Sequence, residues 1–467
     1  MSAGQRIAII GGGLSGLATA HALQRRDPSL EIDVFEESDV VGGKIQTAKI
    51  DGFVCEQGAA GFLDREPATL ELCQRLALSP LSADERSEKR FIYNDGRLHQ
   101  VEMHPLKFLR SKLLPFSAKT RLMIEPFVRR KRGDEDESIA QFARRRIGKH
   151  AAEILIDAMQ SGIYAGDPER LSVRACFPRV VEVERDYGSL IRGMIKLKRQ
   201  RADGDTPGAG PSGHLTSFAQ GLTHLPTRLA EGLARPVRTR SSVESIRRLA
   251  PDQYQIALRG KAPCAADSVI LACPADRAAE LVAGLDQQMP DLLGQISYAP
   301  LCVVCLGYRR DKVRHPLDGF GFLAPKRAKL DILGALFTSS IFPGRAPEGH
   351  VLLRVMIGGA RAAEIAERDD NEVIEIARRA MSRIVGAEGR PAMQQLFRWP
   401  RAIPQYELGH IERVEQLEEH AARHPRLYIT GNAFRGIGIN DCTKNADLLA
   451  ARVASELSDP IVRQAAR

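Results

Sequence analysis

The hydrophobic pattern at the start of the chain alternates between short apolar runs and a helical repeat. Residues 6–10 form an apolar, β-branched run, which is typical of a strand buried on both faces. Residues 17–23 follow with a helical pattern, and residues 31–35 predict a second strand. A strand, a helix and a strand in this order predict the first unit of a parallel α/β sheet.

Later in the chain, short strand-like runs alternate with turns from about residue 290 to residue 399. We expect them to form an antiparallel sheet that walls a substrate site, with a helix near Asn371–Val385 packed on it. The predicted strands are Cys302–Tyr308, Gly319–Ala324, Gly334–Ser339 and Val351–Ile357. Residues 105–200 are mostly helical in pattern, and the Gly/Pro-rich stretch at 201–214 predicts a mobile loop.

The segment after the first strand carries the glycines of a nucleotide-binding loop. Gly11, Gly13 and Gly16 have the spacing G-x-G-x-x-G, which permits a tight turn and a close approach of a diphosphate. The start of the following helix offers free N–H groups to that diphosphate. Glu36 ends the second strand 20 positions after Gly16, where an acid is expected to bind an adenosine ribose.

A second glycine pair favours FAD over NAD. Gly42, Gly43 and Lys44 follow soon after the second strand, so the backbone passes close to the same diphosphate a second time. An NAD enzyme would instead proceed at this point to the next helix and strand of a compact half-sheet.

Composition and charge narrow the class of protein. The 467 residues suffice for two or three domains, and 43% hydrophobic with 27% charged residues is ordinary for a globular chain. No apolar run of 18 residues and no signal-peptide pattern occurs, which predicts an intracellular protein with its eight cysteines mostly reduced and buried. Cys302 and Cys305 form a C-x-x-C pair inside an apolar strand pattern, which favours packing over a redox or metal role.

One segment carries most of the net charge. Residues 107–132 hold nine basic residues and one acid, Glu125, and therefore account for +8 of the total +9. Bulky apolar residues are interleaved with these charges, which suits the surface of an anionic bilayer. The alternative is a helix pair that packs its apolar stripe internally beneath a solvated basic face. A nucleic-acid partner is not predicted, because aromatic stacking platforms and a known binding motif are missing.

The block from Phe35 to Thr47 resembles the flavin amine oxidase superfamily, and its Gly-Gly-Lys-Ile sequence is typical of the protoporphyrinogen oxidase branch. Ala59 departs from the proline of most relatives. The resemblance covers nearly the whole chain and includes residues 56–63, 161–168, 319–323, 402–406 and 427–442.

The resemblance implies an α/β fold in three parts. A discontinuous Rossmann-like FAD-binding domain comprises residues 1–80, 215–290 and 400–467. An antiparallel-sheet substrate-binding domain comprises residues 81–104 and 291–399, and a helical lobe comprises residues 105–200.

The implied cofactor is one FAD per chain. It is expected to be non-covalent, because no cysteine lies near Ala402–His410, where covalently flavinylated relatives carry theirs. Asn440–Leu457 has a helical pattern whose start faces an anionic part of the cofactor or the flavin edge, with Asp441 as its N-terminal cap and Cys442 as a packed thiol. The predicted cofactor-binding residues are Gly11, Gly12, Gly13, Leu14, Ser15, Gly16, Glu36, Glu37, Gly43, Lys44, Gly58, Ala59, Ala60, Gly61, Val243, Asn432, Ile437, Gly438 and Ile439.

The implied substrate is a porphyrinogen. Arg90 matches the family's propionate-binding arginine, and Phe320, Leu323 and Met356 would clamp the ring. From the sequence alone, Arg90 could instead be an exposed residue at a strand start, and the three apolar residues could be sheet core. No catalytic side chain and no metal site is assigned, since the flavin is the oxidant.

Three functions stay open. The first is the six-electron oxidation of protoporphyrinogen IX in haem biosynthesis, which consumes oxygen and releases hydrogen peroxide. The second is the same chemistry on coproporphyrinogen III, and the third is a non-catalytic membrane-surface or partner-binding module on the same fold. The resemblance further implies hand-off to ferrochelatase, a homodimer, and a cytoplasmic location with peripheral contact to the inner face of the cell membrane.

Overall fold

The computed structural model describes residues 5–102, 104–131, 133–202, 213–250 and 252–458. Most of the loop predicted at 201–214, together with Arg132, lies outside these ranges. The strands are β1 (Arg6–Ile10), β2 (Glu31–Phe35), β3 (Thr47–Ile50), β4 (Phe53–Glu56), β5 (Phe62–Leu63), β6 (Leu81–Ser82), β7 (Arg90–Asn94), β8 (Arg97–Gln100), β9 (Leu215–Ser217), β10 (Val243–Ala250), β11 (Gln253–Leu258), β12 (Lys261–Ala266), β13 (Ser268–Leu271), β14 (Tyr298–Arg309), β15 (Gly321–Leu323), β16 (Gly334–Phe337), β17 (His350–Gly358), β18 (Met393–Pro404) and β19 (Leu427–Ile429).

Helices connect and cover these strands. They are α1 (Leu14–Arg26), α2 (Pro67–Arg75), α3 (Pro105–Arg110), α4 (Phe116–Met123), α5 (Ile139–Ile147), α6 (Lys149–Ala151), α7 (Asp157–Tyr164), α8 (Val173–Cys176), α9 (Pro178–Tyr187), α10 (Leu190–Ala202), α11 (His224–Glu231), α12 (Ala275–Val282), α13 (Met289–Gly294), α14 (Thr338–Ile341), α15 (Ala363–Ala366), α16 (Asp370–Val385), α17 (His410–Ala422) and α18 (Ile439–Ser458). A π-helical segment, Ala152–Ile156, joins α6 to α7.

A four-stranded parallel sheet in the order β19-β13-β1-β2 forms the first part of the fold. Side chains of β1 alternate between its two faces, so Ile7 and Ile9 pack under α1 and α18. Ala8 and Ile10 pack against the opposite cluster, which contains residues of β11, α12 and α17. The sheet brings together strands from both ends of the chain, and the predicted α/β fold class with a discontinuous Rossmann-like unit is confirmed.

A seven-stranded sheet in the order β18-β14-β17-β16-β15-β7-β8 forms the second part. It is antiparallel except for one parallel pair, in which Gly321 of β15 lies opposite Arg90 of β7. Apolar side chains of α16 cover one face of this sheet, as predicted for the helix near 371–385. The boundary predicted at residue 400 falls inside β18, which runs continuously to Pro404.

A helical lobe, α3 to α10, packs on β7 of this sheet, where Ile92 contacts Leu113, Leu114 and Ile154. The lobe is organised around a buried ion-pair network. Arg146 contacts the carboxylates of Glu125 and Glu184, and none of these three side chains is more than 6% exposed. Polar side chains therefore fix the lobe's interior as much as apolar ones do.

The surface of the lobe is unusually apolar. Phe116 and Phe127 are 81% and 78% exposed, and Leu106, Met123 and Ile124 are also exposed. The apolar residues of the basic segment thus divide between two environments, since Leu113 and Leu114 are buried. Within the described ranges, no helix combines the length and the apolar character that crossing a membrane requires.

Candidate cofactor and substrate site

The loop between β1 and α1 is closed tightly on itself. A side chain at Gly16 would begin 2.0 Å from the Gly11 carbonyl oxygen, and Gly11 has φ +115°. Glu36 accepts a hydrogen bond from the Gly12 amide at 2.8 Å, so the end of β2 lies directly against this loop. The structure therefore brings together residues 11–16 and Glu36, as the spacing predicts.

The second glycine pair lies beside the first loop. The Gly42 amide donates to the Gly12 carbonyl at 2.8 Å, and a Cβ at Gly43 would lie 3.3 Å from the Gly13 Cα. Lys44 follows with its Nζ 4.8 Å from the centre of the Tyr298 ring. Burial, together with the nearby Arg401, lowers the pKa of Lys44 to about 8, so an anion beside it would be bound by a poorly hydrated cation.

The start of α18 faces the same place. Cys442 is buried in the same hydrophobic cluster as Leu14 and Leu17 of α1, so this helix packs beside the first loop. Asp441 is not the N-terminal cap that the sequence predicted, because α18 begins at Ile439. Asp441 is instead its third residue, and its carboxylate accepts from the Gly438 amide at 3.0 Å. Ile437, Gly438 and Ile439 thus lie at a helix start, where Asp441 binds the Gly438 amide and the amides of the first turn have no partner within the helix.

Asn432 and Val243 lie nearby, but their carbonyls already have partners. The Asn432 carbonyl accepts from the Tyr406 hydroxyl at 2.7 Å, and the Val243 carbonyl accepts from Arg277. Val243 follows Ser241, whose amide donates to the Glu36 carbonyl. Glu37 and Gly43 are the exposed residues of the predicted cofactor set.

The loop containing Gly58, Ala59, Ala60 and Gly61 is held by side chains of the seven-stranded sheet. Arg354 of β17 donates from Nε to the Glu56 carbonyl at 2.9 Å and from Nη2 to the Gly58 carbonyl. Trp399 of β18 donates to the carbonyl between them, that of Gln57, at 2.8 Å. Three successive carbonyls are therefore bound by two side chains, which fixes the height of the loop above the sheet.

Arg354 and Trp399 were not predicted from the sequence. The available signal was a lone arginine within the apolar run Val351–Ile357. A charged residue at the centre of a buried strand requires a specific partner, and here the partners are loop carbonyls.

The predicted substrate residues lie on the face of the sheet opposite α16. Met356 lies opposite Gly334, and Gly334 lies opposite Leu323, so these residues form one row across three strands. Residues opposite each other in register share a face, so Leu323 and Met356 line one wall and are both half-buried. A Cβ at Gly162 of α7 would lie 2.8 Å from the Leu323 side chain, which shows how closely the lobe approaches this wall.

Arg90 and Phe320 meet at the rim of that wall. The Arg90 guanidinium lies 5.3 Å from the centre of the half-buried Phe320 ring. Arg90 is exposed, and no acidic side chain of the described residues lies within 4 Å of it. Such an exposed cation at the mouth of an apolar wall is able to bind a carboxylate.

The residues fit an FAD on geometric grounds. The two glycine loops, the loop at Gly58 and the start of α18 converge from distant parts of the chain. At Gly16 and Gly58 an added Cβ would lie 2.0 Å from a backbone oxygen, so these close approaches require glycine. Backbone amides, a helix start and Lys44 suit a diphosphate.

Comparison with known proteins gives the same result over nearly the whole chain. The family described as flavin containing amine oxidoreductase matches residues 14–454. Coproporphyrinogen III oxidase of Bacillus subtilis (strain 168) is 31% identical, over 95% of this chain and 96% of the relative. Protoporphyrinogen oxidase 1 of the Spinacia oleracea chloroplast is 30% identical, over 96% of this chain and 84% of the relative.

A solved structure is similar throughout. A protein from Exiguobacterium sp. 255-15 that carries a provisional protoporphyrinogen oxidase name superposes with a TM-score of 0.84. It is 26% identical, and the match covers 97% of this chain and 99% of that protein.

Proposed function

This chain is an oxidoreductase that belongs to the porphyrinogen oxidases of the flavin containing amine oxidoreductase family, and we propose that it oxidises protoporphyrinogen IX to protoporphyrin IX. The observation that carries the proposal is the half-buried wall of Leu323 and Met356 with the exposed Arg90 at its rim. A flexible apolar macrocycle needs such a wall, and its propionates need a cation. The exposed apolar surface of the lobe favours the more hydrophobic of the two porphyrinogens.

The residues of this chain would bind the cofactor, orient the substrate and exclude water from the site. The glycine loops and the α18 start would hold the diphosphate, and Arg354 with Trp399 would hold the loop that carries Gly58. Bound FAD would supply the acceptor for a hydride from a bridging carbon, and three such oxidations would consume three molecules of oxygen and release three of hydrogen peroxide. Arg90 would orient the ring through a propionate, and the apolar wall would keep water from the reacting carbon.

Coproporphyrinogen III is the second candidate substrate, because the Bacillus subtilis relative at 31% identity carries that name. Its four propionates require more cations at the rim than protoporphyrinogen does. Both porphyrinogens should be assayed side by side in air by porphyrin fluorescence. We expect the larger kcat/KM with protoporphyrinogen IX, and a larger value with coproporphyrinogen III would contradict the proposal.

Arg90→Ala should raise KM for the preferred porphyrinogen about tenfold, since the lost charge-assisted hydrogen bond is worth about 1.5 kcal/mol. The FAD content, read from visible absorbance, should not change. Arg309→Ala is the matched control, because Arg309 lies at the far end of β14 and pairs with Asp311. A KM for Arg90→Ala equal to that of the parent protein would reject the propionate role.

We further propose that the lobe docks on an anionic lipid bilayer through its exposed apolar and basic side chains. Reversal of charge in Arg129→Glu/Arg130→Glu should weaken sedimentation with phosphatidylglycerol vesicles at least tenfold and leave turnover of detergent-dispersed substrate intact. Phe116→Ser/Phe127→Ser should also weaken vesicle binding and leave turnover intact, because it removes apolar contact with the bilayer. The control is Arg247→Glu/Lys312→Glu, which makes the same charge change outside the lobe. Equal vesicle binding by all variants would exclude lipid docking.

A further inference from the structure

A buried charge cluster with an excess of positive charge lies beneath the loop that carries Gly58. Glu56, at the start of this loop, forms an ion pair with Arg345 at 3.1 Å, and both side chains are at most 2% exposed. Arg354 lies on the other side of the same segment and is also buried. No carboxylate of the described residues lies within 4 Å of the Arg354 guanidinium, which binds the carbonyls of Glu56 and Gly58 instead.

The single carboxylate of this cluster therefore faces two guanidinium groups. Thr47 and the Leu222 amide donate to the Glu56 oxygens at 2.7 and 2.9 Å, and among the described residues Arg345 is the cation within 4 Å of this carboxylate. Burial lowers the pKa of Arg354, and its neighbours, Glu56 among them, offset only part of that change, yet an arginine stays protonated at neutral pH. The buried Cys305 thiol beside it supplies no anion, because the neighbouring Cys55 and burial raise the pKa of Cys305 well above its usual value.

A buried charge without an opposite charge beside it normally lowers the stability of the fold. Such a charge is therefore expected where a bound group supplies the opposite charge. Arg354 binds the carbonyls of Glu56 and Gly58, so this cluster contacts the loop whose residues Gly58 to Gly61 are predicted to bind the cofactor. The electric field of a buried charge is weakly screened, so it extends through a thin loop to a group bound on the other side.

We propose that the Arg345–Glu56–Arg354 cluster is an electrostatic device that stabilises negative charge on the flavin ring and so raises the reduction potential of bound FAD. Arg354 is a positioning residue in this scheme, because it acts through the loop and through its field without touching the substrate. This inference rests on the FAD-dependent activity proposed above and deepens it, since a higher potential makes the cofactor a better hydride acceptor.

Two measurements on the FAD-loaded protein test the cluster without turnover. The first is the midpoint potential by equilibration with a reference dye, and the second is the affinity for sulfite, which bleaches flavin absorbance and adds a negative charge. Arg354→Met should lower the potential and weaken sulfite binding about tenfold. Arg354→Lys should keep most of both values, because it keeps the charge and loses only the fork geometry.

Glu56→Gln should shift the reduction potential in the opposite direction. It also tests the cluster if Arg354→Met does not fold. It removes the negative charge of the cluster with little change in shape, so it should raise the potential and tighten sulfite binding. The matched control is Arg398→Met, because Arg398 lies on the other face of the same sheet and pairs with Asp370. Its potential and sulfite affinity should equal those of the parent protein.

The outcomes separate this inference from the proposed function. Equal potentials and sulfite affinities in Arg354→Met, Glu56→Gln and the parent protein would overturn the inference, even with porphyrinogen turnover intact. A Lys variant as impaired as the Met variant would overturn the role of charge. Opposite shifts in Arg354→Met and Glu56→Gln would support the inference, even if neither porphyrinogen were oxidised, a result that would reject only the proposed function.

Discussion

Gly16→Ala is expected to abolish FAD retention by the purified protein. The new Cβ would lie 2.0 Å from the Gly11 carbonyl oxygen and 3.3 Å from the Ala272 side chain. A contact of 2.0 Å with a backbone oxygen cannot be relieved by turning a side chain, so the loop or the start of α1 must move. Either movement displaces the amides that would bind the diphosphate, because those amides belong to the same short turn.

The measurement is the ratio of visible to ultraviolet absorbance after purification and after incubation with excess FAD. We expect at least a hundredfold weaker FAD affinity, equivalent to about 2.8 kcal/mol. Gly284→Ala is the matched control, since no atom lies within 4 Å of the position that its added methyl group would take and its φ is not positive. Full flavin content in Gly16→Ala would mean that the β1–α1 turn is not the diphosphate site.

Local signals predicted the parts of this fold that depend on near neighbours in the chain. The glycine spacing at Gly11–Gly16 and the helical repeat of α18 both report constraints within about twenty residues. Four strands of the seven-stranded sheet, β14 to β17, were also predicted, although β15 is shorter than Gly319–Ala324. Gly319 lies against the Lys89 carbonyl and Gly321 has φ +139°, so only Gly321–Leu323 pairs as regular strand.

Contacts between distant segments could not be predicted in this way. The parallel pairing of β7 with β15 joins residues more than two hundred positions apart, and hydrophobic periodicity carries no information on which strand becomes a neighbour. Arg354, Trp399 and Arg345 were missed for the same reason. Their partners are loop carbonyls and one carboxylate that have no pattern of their own in the sequence.

The helical lobe shows a related limit. Its basic segment was interpreted as a surface feature, yet Glu125, the one acid within it, is fully buried and organises the interior. The Glu125 carboxylate accepts from Ser189 at 2.6 Å and from the Leu190 amide at 2.9 Å, so it binds the start of α10 as well as Arg146. The single acid in this run of cations therefore lies at the centre of the lobe's buried ion-pair network.

Burial alone would raise the pKa of Glu125, but hydrogen bonds from Ser189, Leu190 and Arg146 outweigh burial and lower it. The pKa of Glu184 is also lowered. Burial would raise it, but the hydrogen bond and the charge of Arg145 outweigh burial. A carboxyl group whose pKa is lower in the folded state adds stability above its unfolded pKa of about 4.3, and this stability is lost as the pH falls through the folded pKa. The network should therefore contribute fully at neutral pH and progressively less in acid.

Arg146→Met is expected to destabilise the lobe by about 3–5 kcal/mol at pH 7, because it leaves Glu125 buried without its cation. Arg144→Met, two positions earlier on α5, should cost less than about 1 kcal/mol, since the Arg144–Glu169 pair is exposed. Hydrogen exchange of the amides in α5 and α10 measures the lobe separately from the rest of the chain. The difference between the two variants should shrink below about pH 4.3, where Glu125 of the unfolded state is protonated. Equal exchange rates in both variants at pH 7 would show that the buried pair does not stabilise the lobe, and that apolar packing around Leu113 and Ile154 suffices.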